Sequence, residues 1–158
     1  MNFIKKHLKN ERGLTLIELL AVVVILGIIA AIAIPSIGGL INNSKKDAHI
    51  ANAQQMVSAA RTAVAGKDIT LTGATATITL GDLISKGYIE EIENPSGGAE
   101  YSKTLSVVNI TKDAATGNLT YAVVLSDGTK TFIKGTGTGN DAKPIPAPSK
   151  LTRENIVL

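Results

Sequence analysis

The amino-acid sequence predicts an α+β fold, in which a long N-terminal helix with a membrane half and an amphipathic half packs against a small antiparallel sheet. First, 18 of the 21 residues from Leu14 to Ile34 are apolar. Second, apolar residues recur at helical spacing after this segment. Third, the last third of the chain contains runs rich in β-branched residues. Aromatic residues make up only 3% of the chain, so the predicted core consists of Ile, Val, Leu and Ala.

The positive charge of the chain is concentrated in residues 1–13. The net charge is +3, and these residues account for the whole excess because they hold Lys5, Lys6, Lys9 and Arg12 against Glu11. No basic stripe remains beyond them, so the charge pattern indicates no nucleic-acid partner. Basic residues before an apolar segment favour a cytoplasmic N-terminus and export of the rest of the chain.

The apolar segment from Leu14 to Ile34 is long enough to cross a bilayer, since as a helix it spans roughly 31 Å. Three interpretations are open: a cleaved secretory signal, a permanent anchor, and a leader that is cut on the cytoplasmic side. Residues 31–33 (Ala-Ile-Ala) have the small-x-small form of a secretory cleavage site. The apolar run is longer than that of most signals, however, and Pro35 lies only two residues beyond that cut.

Glu18 is the one charged residue inside this apolar segment. An ionisable group within a membrane normally has a partner, and no other charge occurs between Arg12 and Lys45. A cut between Gly13 and Leu14 would supply one, because it creates an α-amino group four residues before the carboxylate. That amine can pair with the Glu18 of its own chain or of a neighbouring chain.

The segment from Gly13 to Leu20 (Gly-Leu-Thr-Leu-Ile-Glu-Leu-Leu), after a short basic leader, closely resembles the prepilin cleavage site of type IV pilins and pseudopilins. The resemblance covers about residues 1–65. It implies that a prepilin peptidase cuts after Gly13 and N-methylates Leu14, although most family members have Phe at that position. It also implies that Glu18 pairs with the methylated amine of an adjacent subunit, and that Gly27 and Pro35 bracket a stretch that loses helical hydrogen bonds in the filament.

The resemblance further implies the domain organisation and the partners. We expect a cleaved leader (1–13), a transmembrane and filament-core helix (14–35), an amphipathic continuation (36–66) and a globular head with the pilin fold (67–158). The implied partners are further copies in a helical homopolymer, the prepilin peptidase, the pilus assembly platform and, before assembly, the lipid bilayer. No cofactor is implied. The precursor would lie in the cytoplasmic membrane and the mature chain in a surface fibre. The lack of Cys, where many Gram-negative pilins close a C-terminal disulfide loop, and the resemblance of residues 79–89 to a short element of Gram-positive pilins together favour a Gram-positive, clostridial-type major pilin.

Residue chemistry independently predicts a weak point in the helix. Pro35 cannot donate a backbone hydrogen bond, and Gly38 and Gly39 each cost roughly 1 kcal/mol of helix stability relative to Ala. Gly27 and Ala31 form a small-xxx-small pair that allows close helix approach, unless Gly27 is simply a glycine tolerated in a membrane helix.

The outer half of the helix carries a narrow apolar stripe of Ile50, Ala53, Val57, Ala60 and Val64. This spacing predicts one helix from about Leu14 to Ala65, stopped by Gly66 and packed by the head along the stripe. We expect His49 on an exposed face of this helix.

The remaining elements follow in order along the chain. Residues 78–89 predict a short helix with Thr79 or Asp82 near its cap and Gly87 at its end. Strands are predicted over residues 105–110, 119–125 and 130–134, with the turn between the last two at residues 127–128 (Asp-Gly). Residues 135–149 read as a loop, and residues 151–158 as a last strand or a packed tail.

Three other functions compete with a pilus subunit. A pseudopilin of a type II secretion or DNA-uptake system shares the leader and the helix. A membrane-tethered enzyme or binding module is disfavoured because no His, Cys or metal-ligand constellation occurs in the head, and the acidic residues Glu90, Glu91 and Glu93 indicate a solvated face rather than a cation site. An adhesin at a fibre tip is the third.

Overall fold

The structure is a computed structural model that describes residues 11–133 and 150–158, with side chains from Thr15 onward. The first helix, α1, runs from Glu11 to Ala65 without interruption. The chain divides into two compact units, one ending at Ile41 and one running from Asn42 to Leu158. The second unit therefore combines the outer half of α1 with residues 67–158, which are called the head below. The predicted loop over residues 135–149 lies outside the described residues. The leader does so too, except for residues 11–13, with which α1 begins.

In the first unit, α1 exposes large apolar side chains along its length. Sixteen of them between Leu16 and Ile41 are at least 49% exposed. The backbone is helical through Pro35 and through both glycines of the predicted weak point. The loss of helical hydrogen bonding that the resemblance implies for assembled filaments stays a prediction.

The helix α1 ends at Ala65, directly before Gly66, as predicted. The amide of Lys67 donates to the carbonyl of Val64, and the amide of Asp68 donates to that of Ala63, a pattern that closes a helix C-terminus. The residue in the left-handed conformation is Lys67, with φ of 61°. Gly66 has a different role, because a Cβ at this position would lie 3.2 Å from the hydroxyl oxygen of Tyr88.

The head contains a three-stranded antiparallel sheet in the order β1-β2-β3. The strands are β1 (Thr75–Thr79), β2 (Val107–Lys112) and β3 (Leu119–Val124). The α+β architecture is as predicted, and β3 matches its predicted strand closely, whereas β2 begins two residues later than expected.

The third strand of the sheet was wrongly predicted. Residues 130–134 were expected to return after a two-residue turn, but within the described residues this segment forms two isolated bridges rather than a strand, Thr131 with Ser126 and Ile133 with Ile156. The carboxylate of Asp127 accepts hydrogen bonds from the amides of Thr129 and Lys130, which makes a wider four-residue connection. The third strand of the sheet is instead β1, which pairs with β2 at the edge opposite β3; its Thr75 and Thr77 are exposed while Ile78 is buried.

A short helix, α2 (Leu80–Ser85), follows β1 directly, within the predicted range. Both predicted capping residues take part. The Thr79 side chain accepts from the amide of Asp82, and the Asp82 carboxylate accepts from the amide of Thr79. Gly87 follows the helix with φ of 74°, the left-handed conformation that glycine adopts most readily.

The core of the head lies between α1 and the sheet. The predicted stripe supplies Ala53, Val57 and Ala60, which are at most 1% exposed, and the sheet supplies Ile78, Val108, Ile110, Tyr121 and Val123. Residues 151–158 are a packed tail, with Leu151 and Ile156 buried and one bridge from Ile156 to Ile133.

Candidate processing and assembly site

Glu18 lies on the α1 surface, one helical turn after Leu14. Its side chain is exposed, and the neighbouring Leu16, Ile17, Leu19 and Leu20 are 60–71% exposed. The described residues contain two ion pairs, and neither includes Glu18. The candidate site is therefore a lone carboxylate on an apolar helix surface. The side chains of Gly13 and Leu14 are not among those that the structure describes.

The apolar surface of the first unit needs a cover other than water. Soluble monomers rarely expose a continuous apolar patch of this extent. By length and composition, α1 is the one helix in the described part of the chain that can cross a bilayer. Lipid tails, or the same helices of neighbouring chains, are chemically suited to this surface because both are apolar.

Three glycines of the first unit make no packing contact with the described residues. A Cβ added at Gly27, Gly38 or Gly39 would meet no heavy atom within 4 Å. The absence of a side chain at these positions therefore relieves no contact inside the protein. Two explanations remain: contact with another molecule, and a local reduction of helix stability.

The head is fixed to α1 by a cluster that the sequence did not predict. His49 was expected on an exposed face, but it is fully buried. Its ring stacks on that of Phe132, and its Nδ1 lies 2.5 Å from the hydroxyl oxygen of Tyr101. Its Nε2 lies 2.8 Å from Oγ of Ser96. A neutral imidazole has one N–H, so one nitrogen donates and the other accepts.

Burial determines the protonation state of this cluster. It lowers the pKa of His49 from 6.5 to about 4, because the charged ring would lose its hydration. Burial also raises the pKa of Tyr101 to about 12. Both groups are therefore neutral at pH 7. The missed signal is the spacing of His49, Ala53, Met56 and Ala60, which places the histidine on the apolar stripe.

Two polar contacts hold further parts of the head against α1. The guanidinium of Arg153 donates to both oxygens of Asp47, at 2.6 Å each, and lowers the pKa of that carboxyl group. The side-chain amide of Asn52 donates to the carbonyl of Glu93 and to the hydroxyl of Tyr101. These contacts attach the C-terminal tail and the loop before β2 to the helix.

The acidic segment after α2 was expected to be a solvated face. Glu90 and Glu91 are exposed, and Glu91 forms an ion pair with Lys103. Within the described residues, no group of three or more His, Cys, Asp or Glu side chains is arranged to hold a metal ion.

One comparison with known proteins gives a match. Residues 8–34 match the family model of the prokaryotic N-terminal methylation motif. This motif is typical of type IV pilins and pseudopilins, and the long apolar N-terminal helix fits it. No curated protein and no solved structure matches the chain.

The motif covers 27 of the 158 residues, and together with the α+β architecture it makes the chain similar to type IV pilin-like proteins, a class that contains pilins and pseudopilins. Proteins with this motif are made as membrane-anchored precursors and processed by a prepilin peptidase. The motif is that of a structural class rather than of enzymes.

Proposed function

We propose that this chain is the structural subunit of a type IV pilus. The precursor is inserted with its N-terminus in the cytoplasm and its head outside, and the peptidase cuts between Gly13 and Leu14 and methylates the new terminus. The assembly platform then transfers the mature helix from the bilayer into a helical filament. The observation that carries this proposal is the lone carboxylate of Glu18 on an apolar helix that matches the methylation motif.

Assembly follows from the surface chemistry of the first unit. The side chains from Leu16 to Ile41 leave the lipid and pack against equivalent helices, so burial from water is maintained throughout. The amine at Leu14 pairs with Glu18 of a neighbouring chain, which neutralises both charges before they enter the filament core. Because a buried charge without a partner is costly, this pair sets the axial register of each new subunit.

The glycines and the proline have complementary roles in this proposal. Gly27 and Ala31 allow neighbouring helices to approach closely, since no atom of the same chain occupies that space beside Gly27. Pro35, Gly38 and Gly39 allow the helix to extend locally in the filament at low cost.

Substitution of Glu18 tests the proposed pairing. We expect Glu18→Ala to leave export and cleavage after Gly13 intact, and to reduce the yield of sheared surface fibres severely. A matched control is Thr15→Val, which changes a polar residue of the same turn without removing a charge. Normal fibre yield from Glu18→Ala would show that the carboxylate does not direct assembly. If the Glu18→Ala precursor remained uncleaved, the carboxylate would act in processing rather than in assembly.

The second candidate is a pseudopilin of a type II secretion or DNA-uptake system, because the same motif is typical of pseudopilins. Electron microscopy of sheared cells separates the two functions. A pilus subunit gives long surface fibres, whereas a pseudopilin gives short fibres confined to the envelope.

A further inference from the structure

The ring of His49 lies where three parts of the second unit meet. It belongs to α1, it stacks on Phe132, and it forms hydrogen bonds with the segment of residues 93–101, called the strap below. The side chain of Asn52, one helical turn later, also forms hydrogen bonds with the strap. Four hydrogen bonds thus join the strap to two side chains of α1, and one of these side chains can be protonated.

The direction of these hydrogen bonds follows from the amide nitrogen of Asn52, which can only donate. It donates to the carbonyl of Glu93 and, at 3.3 Å, to the hydroxyl oxygen of Tyr101. The hydroxyl hydrogen of Tyr101 is then left for Nδ1 of His49, 2.5 Å away, because a buried tyrosine hydroxyl normally has a partner. Nδ1 therefore accepts, and the ring hydrogen lies on Nε2, which donates to Oγ of Ser96.

A second ring hydrogen does not fit this arrangement. Protonation of His49 places a hydrogen on Nδ1, where it meets the hydroxyl hydrogen of Tyr101. The hydroxyl group then has to turn away and loses the nitrogen to which it donated, in a side chain that is 4% exposed. The charge itself is also costly, because the ring of His49 is fully buried.

The charged groups around the cluster do not offset this cost. Burial is the cause of the lowered pKa of His49, and in the described part of the chain no carboxylate pairs with the ring. Asp47, two residues before it, is bound to Arg153 of the C-terminal tail. None of the other charged groups on the elements around the ring forms a hydrogen bond with it: Lys45 and Lys46 of α1, Glu93 and Glu100 of the strap, Asp127 and Lys130 before Phe132, and Glu154 of the tail.

The strap has hydrogen bonds of its own that do not involve α1. The side chain of Asn94 accepts from the amide of Ser96 and donates to the carbonyl of Ala99, which closes a local turn. Directly after the strap, the amide of Ser102 donates to the carbonyl of Ser126. The strap can therefore leave the helix with its turn intact while its C-terminal end stays attached to the head.

We propose that His49 is an acid-sensitive latch, which holds the strap on α1 while the ring is neutral and releases it when the ring is protonated. Release breaks the hydrogen bonds of His49 with Tyr101 and Ser96 and exposes the Tyr101 side chain, while the sheet stays packed on the helix. Burial lowers the pKa of His49 to about 4 in the closed state, whereas a released ring has its ordinary value of 6.5. The latch is therefore closed at pH 7 and opens as the pH falls towards 4. It is independent of filament assembly.

Hydroxyl-radical footprinting of the full-length chain in detergent micelles tests the latch, with the oxidation of each aromatic residue followed by mass spectrometry. Tyr101 is 4% exposed in the closed state, so we expect its labelling to rise about tenfold between pH 7 and pH 4. Tyr121 is the internal control, because it is also buried but lies on β3. An equal rise at Tyr121 would mean that the whole head unfolds, and no rise at Tyr101 would mean that the strap is not released. Either result would overturn the proposal.

Two variants and the ring signals of the unmodified chain complete the test. We expect the labelling of Tyr101 in His49→Gln to be the same at pH 7 and pH 4, whereas His7→Gln, which changes the other histidine of the chain, keeps the dependence on pH. Acid-dependent labelling that persists in His49→Gln would assign the release to another group. Nitrogen-15 NMR at pH 7 should show hydrogen on Nε2 of His49 and none on Nδ1. Hydrogen on Nδ1 would overturn the direction of the hydrogen bonds on which the latch depends.

Discussion

The ring of His49 on α1 stacks on the ring of Phe132, with centroids 4.4 Å apart and an interplanar angle of 21°. The two residues are 83 positions apart in the chain, and both are almost completely buried. Tyr101 packs edge-on against both rings. Two of the five Phe and Tyr residues of this protein thus pack against one histidine of the helix.

The first prediction concerns acid stability. The folded-state pKa of His49 is about 4 and its ordinary value is 6.5, so between these values the unfolded chain binds more protons than the folded chain. Stability due to this group is fully present above pH 6.5 and is lost as the pH falls towards 4. We expect a loss of roughly 2–3 kcal/mol over this interval.

Urea unfolding of the full chain in detergent, followed by the tyrosine signal of the head at several pH values, measures this loss. His49→Gln is the control, because it retains a polar side chain but does not titrate. We expect the variant to be less stable at pH 7 and to depend much less on pH between 4 and 6.5. The same pH dependence in both proteins would show that other groups cause it.

The second prediction concerns the buried alanines of α1. Ala60 is fully buried, whereas Ala51 on the same helix is exposed. We expect Ala60→Leu to destabilise the head by about 1–3 kcal/mol through overpacking, and Ala51→Leu to change its stability by less than about 0.5 kcal/mol. Thermal unfolding of both variants measures the difference. Equal stability of the two variants would contradict the tight packing at Ala60.

The third prediction concerns the end of α1. Lys67 adopts the left-handed conformation, which costs a residue with a Cβ about 1 kcal/mol relative to glycine. We expect Lys67→Gly to stabilise the head by up to that amount, as measured by the urea midpoint. Lys46→Gly, within the same helix, should instead destabilise it by about 1 kcal/mol. If Lys67→Gly destabilised the head instead, the left-handed residue that ends the helix would not be Lys67.

The sequence predicted the elements whose apolar spacing is regular. The long helix and β3 have clear periodicity, and the capping box at Thr79 and Asp82 is a local signal that needs no tertiary contact. The strand β1 was missed because Thr75–Thr79 contains one large apolar residue, Ile78, so its place at the sheet edge depends on pairing with β2.

The candidate site rests on a local signal, and the roles of its residues stay predictions. Gly13, Leu14 and Glu18 lie in one short local motif, so chain order alone brings them together. The burial of His49 depends on contacts between residues far apart in sequence. His49 was predicted to be exposed because it is polar. Its burial is possible because Ser96 and Tyr101, which are distant in sequence, form hydrogen bonds with its ring.

The most direct test of this account is intact-mass and N-terminal analysis of protein sheared from the cell surface. We expect fibres whose subunits begin at Leu14 and carry one N-terminal methyl group. Subunits that begin at Met1 would mean that the helix is a permanent anchor, and subunits that begin at Ile34 would mean a secretory signal. Either of these results would contradict processing at Gly13 and the pairing of the new amine with Glu18.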